Sequence, residues 1–323
     1  MTRFPRADFS KIKTISIKSR KSKVTPSDFA LPFDPRVSSF EGFVNSLPAI
    51  LAANDLKALV KDIIRARKSR KPVVVMLGAH VIKVGLSPLL IDLIKRGVIS
   101  AVAMNSAAAI HDVETAMWGK TSEDVAENIL DGRFGMARET GELINHTLSS
   151  AVRETDMGYG EALGKALLNA PNKGVSLLAA CHEHDIPATV HAAIGTDIVH
   201  QQPSMDGGAT GEMSFRDFRS FCHTCGGLVG GGVVLNIGSA VIMPEVFLKA
   251  LTVARNLGKK ASGFTTAVFD MNVHYRPTMN VQLRPTRDGG RGYYFTGHHE
   301  LMIPLLAAMI RTRLELQAKA GTK

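Results

Sequence analysis

Apolar residues recur at helical spacing between Phe40 and Arg70, at Phe43, Leu47, Ile50, Leu51, Leu56, Leu59, Val60, Ile63 and Ile64, which predicts two amphipathic helices. The following stretch, KPVVVMLG over 71–78, is a continuous apolar run, as expected of a strand buried on both faces of a parallel sheet. A helix is predicted over 82–96 and a second buried strand over 98–104, ending in the small residues Asn105–Ala109. Residues 111–170 predict helices alone, including 133–152 and 161–168, and a further helix over 176–184 leads to a third strand near 186–192. A polar loop over 195–212 precedes a central strand at 227–229, which opens into the triplet Gly230-Gly231-Gly232. The remaining pattern is a helix over 244–256, a strand over 264–270, a polar segment over 272–291, a strand over 292–296 and a closing helix over 299–317.

This alternation predicts an α/β fold, a doubly wound, mostly parallel sheet with helices on both faces. Residues 1–39 lack sustained apolar periodicity and read as a basic arm that orders against a neighbour. Residues 40–323 are then expected to form a single α/β nucleotide-binding catalytic domain.

Composition refines this picture. The chain has 323 residues and a formal net charge of +10, with the basic excess concentrated in the arm (Lys11, Lys13, Lys18, Arg20, Lys21, Lys23) and around Arg65–Lys71. Neither cluster interleaves aromatic residues, which argues against a nucleic-acid partner. The second reads as a solvated helix end, where cations complement the dipole. Residues 226–248 are nearly uncharged, but glycines, Asn236 and Pro244 break them into core pieces and not a membrane span. Three cysteines, Cys181, Cys222 and Cys225, make no disulfide framework, and the start of the chain has no apolar leader, so a cytoplasmic protein is expected.

Candidate chemistry gathers past the predicted strand ends, where open α/β sheets bind ligands: His80 and Lys83; Asn105, Ser106, His111 and Asp112; His191, Asp197 and His200; Asn236; Asp270, Asn272 and His274; and His298, His299 and Glu300. Most of the 11 histidines fall in this set, more than core filling alone explains. A dinucleotide would lay its pyrophosphate on the backbone of Gly230–Gly232, with Asp112 or Glu300 holding a ribose. A divalent metal would instead recruit His191, Asp197 and His200, or His298-His299-Glu300, although the first spacing matches no standard zinc site. Cys222 and Cys225 read as structural. The sequence holds no GxGxxG, GxxxxGK[ST] or GxSxG motif.

Over residues 70–312 the order of pieces resembles the deoxyhypusine synthase family, on GAHVIKVGLSPLLIDLIKRG, MNSAAAIHD, HDIPAT, LVGGGVV and HHELMIPLL. The resemblance implies an NAD-binding fold of that type, a homotetramer with sites between subunits, and an N-terminal arm that covers a neighbour's site. By position it implies NAD contacts at Ala79, Lys83, Asn105, Ser106, Ala107, His111, Asp112, Gly230, Gly231, Gly232, His298, His299 and Glu300. The family's catalytic lysine, however, falls in a segment that here reads VQLRPTRDGGRGYY, with Arg284, Arg287 and Arg291 and no lysine. Arginine stays protonated and forms no imine, so authentic deoxyhypusine synthesis is not expected. The first expectation is an NAD-dependent relative acting on a small amine or amino acid without an enzyme-lysine imine, using His191, Asp197, His200, Asn236, His274 and Lys83. The alternatives are a histidine-rich, metal-assisted hydrolase on the same fold and a non-catalytic binding protein.

Overall fold

The computed structural model describes residues 3–36 and 39–321, so positions 1, 2, 37 and 38 of the predicted arm and 322 and 323 at the end lie outside the described residues. The chain divides into two compact units, Met1–Asn54 and Asp55–Lys323. This division falls later than the change of pattern at Phe40.

The first unit contains two short 3-10 turns and helix α1 (Phe40–Ser46), capped by the Ser39 hydroxyl, which accepts from the Gly42 N–H at 3.3 Å. Two backbone bonds fold the segment on itself, Leu31 N–H to Ser46 O at 2.9 Å and Ala49 N–H to Asp28 O at 3.0 Å. Phe33 meets Phe43 edge to face at 5.5 Å. Helix α2 (Leu51–Lys68) leads on into the second unit, where Leu59, Val60, Ile63, Ile64 and Ala66 form its buried stripe.

Six strands build one sheet: β1 (Val73–Leu77), β2 (Ala101–Asn105), β3 (Ala188–His191), β4 (Val233–Ile237), β5 (Thr265–Asp270) and β6 (Arg291–Thr296). Their order is β3-β2-β1-β4-β5-β6 and every pairing is parallel. This is the doubly wound order of dinucleotide-binding folds, in which chain direction across the sheet reverses between β1 and β4 and opens a crevice at the carboxyl ends. β1, β4 and β5 are buried at every position, as helices on both faces require, whereas the edge strand β6 is half open.

Between β1 and β2 run α3 (Ala79–Lys83) and α4 (Ser87–Lys95), where the apolar pattern predicts one helix. Gly85, at φ +78°, breaks it, because that left-handed conformation ends a helix. After β2 come α5 (Ser106–Trp118), α6 (Val125–Asn128), α7 (Arg138–Glu154), α8 (Tyr159–Ala166) and α9 (Leu177–Glu183). The α10 helix (Gly207–Gly226) replaces the end of the expected 195–212 loop; its opening glycines hide a start set by Asp206, whose side chain accepts from the Ala209 N–H at 2.9 Å. Three helices complete the unit: α11 (Ile242–Asn256), the one-turn α12 (Tyr275–Pro277), which runs into a π-helical stretch at Thr278–Leu283, and α13 (His299–Gly321).

One correction concerns the centre of the sheet. The predicted strand at 227–229 is the turn after α10, and the central strand begins only after the glycine triplet. Gly230 and Gly231 take φ of +57° and +118°, and the Gly230 N–H bonds Ser262 O at 2.9 Å. The triplet is therefore a turn at the amino end of β4, opposite the crevice it was expected to floor. Among the described residues, no helix is long and apolar enough to cross a membrane.

Candidate functional site

At the switch point the backbones of the β1–α3 and β4–α11 connections nearly touch. A Cβ on Gly78 would stand 2.1 Å from the Gly238 carbonyl oxygen, so only glycine fits. His80 follows Gly78 at the place where a dinucleotide fingerprint has its second glycine. Its ring lies 5.7 Å from that of His299, which is 1% exposed and sits with Nε2 3.2 Å from Phe269 O. His299 Nδ1 is buried with no hydrogen-bond partner, and burial lowers the pKa of this ring. An orphaned polar atom at a switch point is an uncompensated cost that a ligand or water would relieve.

Beside this crevice, over the ends of β2 and β3, a cavity of about 860 Å³ opens, within the size range of cofactor and substrate pockets. One face of α5 lines it, with Ala107, Ile110, His111, Glu114 and Trp118 spaced by three and four residues as a helix stripe must be. Lys83 enters from α3, Lys120, Thr121 and Glu123 from the segment after α5, Glu139 and Thr140 from α7, and Thr196 and Asp197 from the loop after β3. Four carboxylates against two lysines make the lining net acidic. The α5 amino end is set by Asn105, whose side chain accepts from the Ala108 N–H at 3.0 Å.

The hydrogen bonds assign the state of His111. Thr121 donates its single hydroxyl proton to Glu114 Oε2 and so accepts from His111 Nδ1, 2.6 Å away, while Thr140 donates to Glu114 Oε1 at 3.1 Å. The proton of the neutral ring is therefore on Nδ1, and Nε2 keeps an acceptor lone pair. Burial lowers the His111 pKa, and nearby Lys83 lowers it further against the opposing pull of Glu114 and Asp197. At neutral pH this is an uncharged imidazole able to take a proton.

Asp197 is held from two sides. Ser106 donates its hydroxyl to Oδ2 in a short contact, and His200 Nε2 stands 3.8 Å from the same oxygen. The His200 Nδ1 atom accepts from the Gly195 and Asp197 N–H groups at 3.2 and 3.3 Å, which puts the ring proton on Nε2, where it is buried and unpartnered. Burial raises the Asp197 pKa, opposed by Ser106, His200 and His111.

Of the residues singled out from the sequence, the structure thus brings together Lys83, Asn105, Ser106, Ala107, His111, Asp197 and His200 around the cavity, and Ala79 and His299 at the switch point. Most of the others lie apart. Asp112 spends both oxygens on the start of α9, accepting from Ser176 Oγ at 2.6 Å and the N–H groups of Leu177 and Leu178 at 2.7 and 3.1 Å. It therefore cannot also hold a ribose, and burial pushes its carboxyl up to about 6. His191 is a core residue, 4% exposed, edge-on to Phe221 at 5.5 Å and paired with Thr189 Oγ1 at 3.0 Å; burial pushes its pKa down to about 3. Asn236, by contrast, lies fully buried near the carboxyl end of β4 beside the switch point, where its side-chain amide donates to Ser239 O at 3.0 Å and its Oδ1 has no hydrogen-bond partner. His274 approaches Asp270 at 3.5 Å beyond β5, while His298 and Glu300 pair with each other at 3.7 Å in the open. Gly230, Gly231 and Gly232 are at the far end of the sheet.

The metal expectation does not fit these positions: among the described residues, no three His, Cys, Asp or Glu side chains are grouped to hold an ion. Conversely, Glu114, Trp118, Lys120, Thr121 and Glu123 escaped the reading of the sequence. The signal for the first two was present in helical spacing from His111.

No protein-family model matches the sequence, and no curated protein matches it at the sequence level. Solved structures do share its fold. Unliganded AgrE superposes with a TM-score of 0.54 at 15% identity, over 85% of this chain and 34% of that one, so this chain spans about a third of AgrE. An LOR/SDH protein from Methanococcus maripaludis S2 gives 0.52 at 16% identity, over 81% and 70% of the two chains. A protein described as a deoxyhypusine synthase, from Entamoeba histolytica, gives 0.50 at 12% identity, over 86% and 95%. The chain thus has a doubly wound α/β fold similar to deoxyhypusine synthase-like and LOR/SDH-type structures.

Proposed function

We propose that this protein is an NAD-dependent enzyme that oxidises a small amine or amino acid in the α5 cavity, without an imine to an enzyme lysine. The observation that carries the reading is the neutral His111, with a free acceptor nitrogen, in a net acidic cavity at the carboxyl ends of a doubly wound sheet. Two features support NAD: the fold neighbour AgrE has been solved with ornithine and NAD+, and the doubly wound sheet opens a crevice at its switch point where His299 Nδ1 lacks a partner. His80 stands where the usual β1 approach has a glycine, so a dinucleotide would instead lie along the crevice beside α5, whose amino end carries the positive end of the helix dipole. When bound, NAD supplies a hydride acceptor.

The chain's own groups do the rest. The carboxylates of Glu114, Glu123 and Asp197 favour an ammonium-bearing substrate, and His111 Nε2 takes a proton from its nitrogen. Removal of that proton would leave the nitrogen lone pair free to support loss of the C–H electron pair as hydride to bound NAD, giving a substrate iminium ion. Lys83 acts through charge, adding to the burial that keeps His111 neutral. Arg284, Arg287 and Arg291 lie outside this site: Arg284 bonds Asn280 Oδ1 at 2.7 Å and Arg291 is 3.7 Å from Asp62, at the amino end of β6.

The test is NADH formation across a panel of diamines and amino acids. His111→Gln should lower kcat by about 10²–10⁴-fold with KM little changed. No turnover with any amine, together with no rise in Tm on adding millimolar NAD, would overturn the proposal.

A further inference from the structure

At the opposite end of the sheet, beneath the amino ends of β1 and β2, a second cavity of about 630 Å³ is lined by Arg67, Arg70, Lys71, His223 and Lys259 and by no carboxylate. These groups arrive from separate elements. Arg67 ends α2, and Arg70 and Lys71 form its turn into β1. His223 is in the last turn of α10, and Lys259 follows α11. Arg70 adopts φ +52° where the Arg70 and Lys71 N–H groups bond Arg67 O and Ala66 O, at 3.1 and 2.8 Å. This is a helix-ending geometry that glycine ordinarily serves. Arg67 donates only to a backbone carbonyl, Arg96 O at 3.1 Å, and among the described residues Arg70, Lys71 and Lys259 have no ion pair.

A solvated helix end would explain one such cation. Here α2, α4, α10 and α11 all direct their carboxyl ends toward this side, each bringing roughly half a negative charge. Four permanent cations therefore outweigh about two units of dipole charge, leaving a surplus near +2 before His223 is counted. From the cavity, the converging cations and this balance, we infer a binding site for a small phosphate-bearing anion of two or more charges, separate from the His111 cavity. The two arginines present planar forks that suit phosphate oxygens and the lysines add point charge.

Inorganic tripolyphosphate is the probe. Titration at low salt should give saturable binding that weakens at least tenfold in an Arg70→Gln/Lys71→Gln/Lys259→Gln variant and is unchanged in Arg133→Gln, with circular dichroism checking the fold. In the wild-type protein, tripolyphosphate should shield Lys71 and Lys259, but not Lys249, from amine acylation read by mass spectrometry. Equal binding by the triple variant, or acylation of Lys71 and Lys259 unaffected by the probe, would overturn the inference. So would saturable binding of single-stranded RNA with none of tripolyphosphate, which would make this a nucleic-acid surface.

Discussion

At the scale of single residues, burial decides which histidines can do chemistry. His111 is one-fifth exposed and has a free acceptor nitrogen, whereas His191 is sealed in the core. The His111 pKa lies below its ordinary 6.5, so a base at this position stays active through neutral pH and loses activity only on acidification below 6.5. A pH–rate profile with an acid limb below 6.5, absent from the residual rate of His111→Gln, is the expected result. His191 gives a stability prediction of known sign. Its folded pKa of about 3 is below the unfolded value of 6.5, so the unfolded state binds more protons between them and stability falls as pH drops through that window. Urea unfolding at pH 7 and pH 5 should show that His191→Phe removes about 2 kcal/mol of the wild-type loss.

At the scale of elements, the parallel strands were legible because burial on both faces leaves continuous apolar runs, as at Val73–Leu77 and Thr265–Asp270. The central strand was misplaced because Leu228, apolar and buried, packs a turn and not a ladder. Placing the strand six residues early moved Gly230–Gly232 to the wrong end of the sheet. The polar face of α5 is only half legible: His111 and Asp112 are adjacent in sequence, but neighbours point about 100° apart on a helix, and Asp112 faces α9. Trp118 and Glu114 share the face of His111. Two glycine substitutions separate the ends of the sheet. Gly78→Ala should cost about 1–3 kcal/mol in urea unfolding, since its Cβ meets backbone. Gly231→Ala, strained at φ +118° but in open space, should cost about 1–3 kcal/mol yet leave the Tm shift caused by NAD intact.

At the scale of the molecule, parallel strands send every βα connection to one side, and that side collects His80, Lys83, His111, Asp197, His200 and His299 from segments more than 200 residues apart. Helix carboxyl ends collect on the other side, together with the cations that offset them. The sequence carried the topology in its alternation of elements, but which polar residues face inward depended on packing that no local pattern records. The proposed function requires NAD and substrate to occupy the carboxyl side. Hydrogen–deuterium exchange of the full chain with and without saturating NAD reads that placement peptide by peptide. Slowed exchange in peptides covering 78–85, 105–121 and 192–200, with 226–232 and 65–71 unchanged, is the result predicted; protection confined to 226–232 or 65–71 would contradict it.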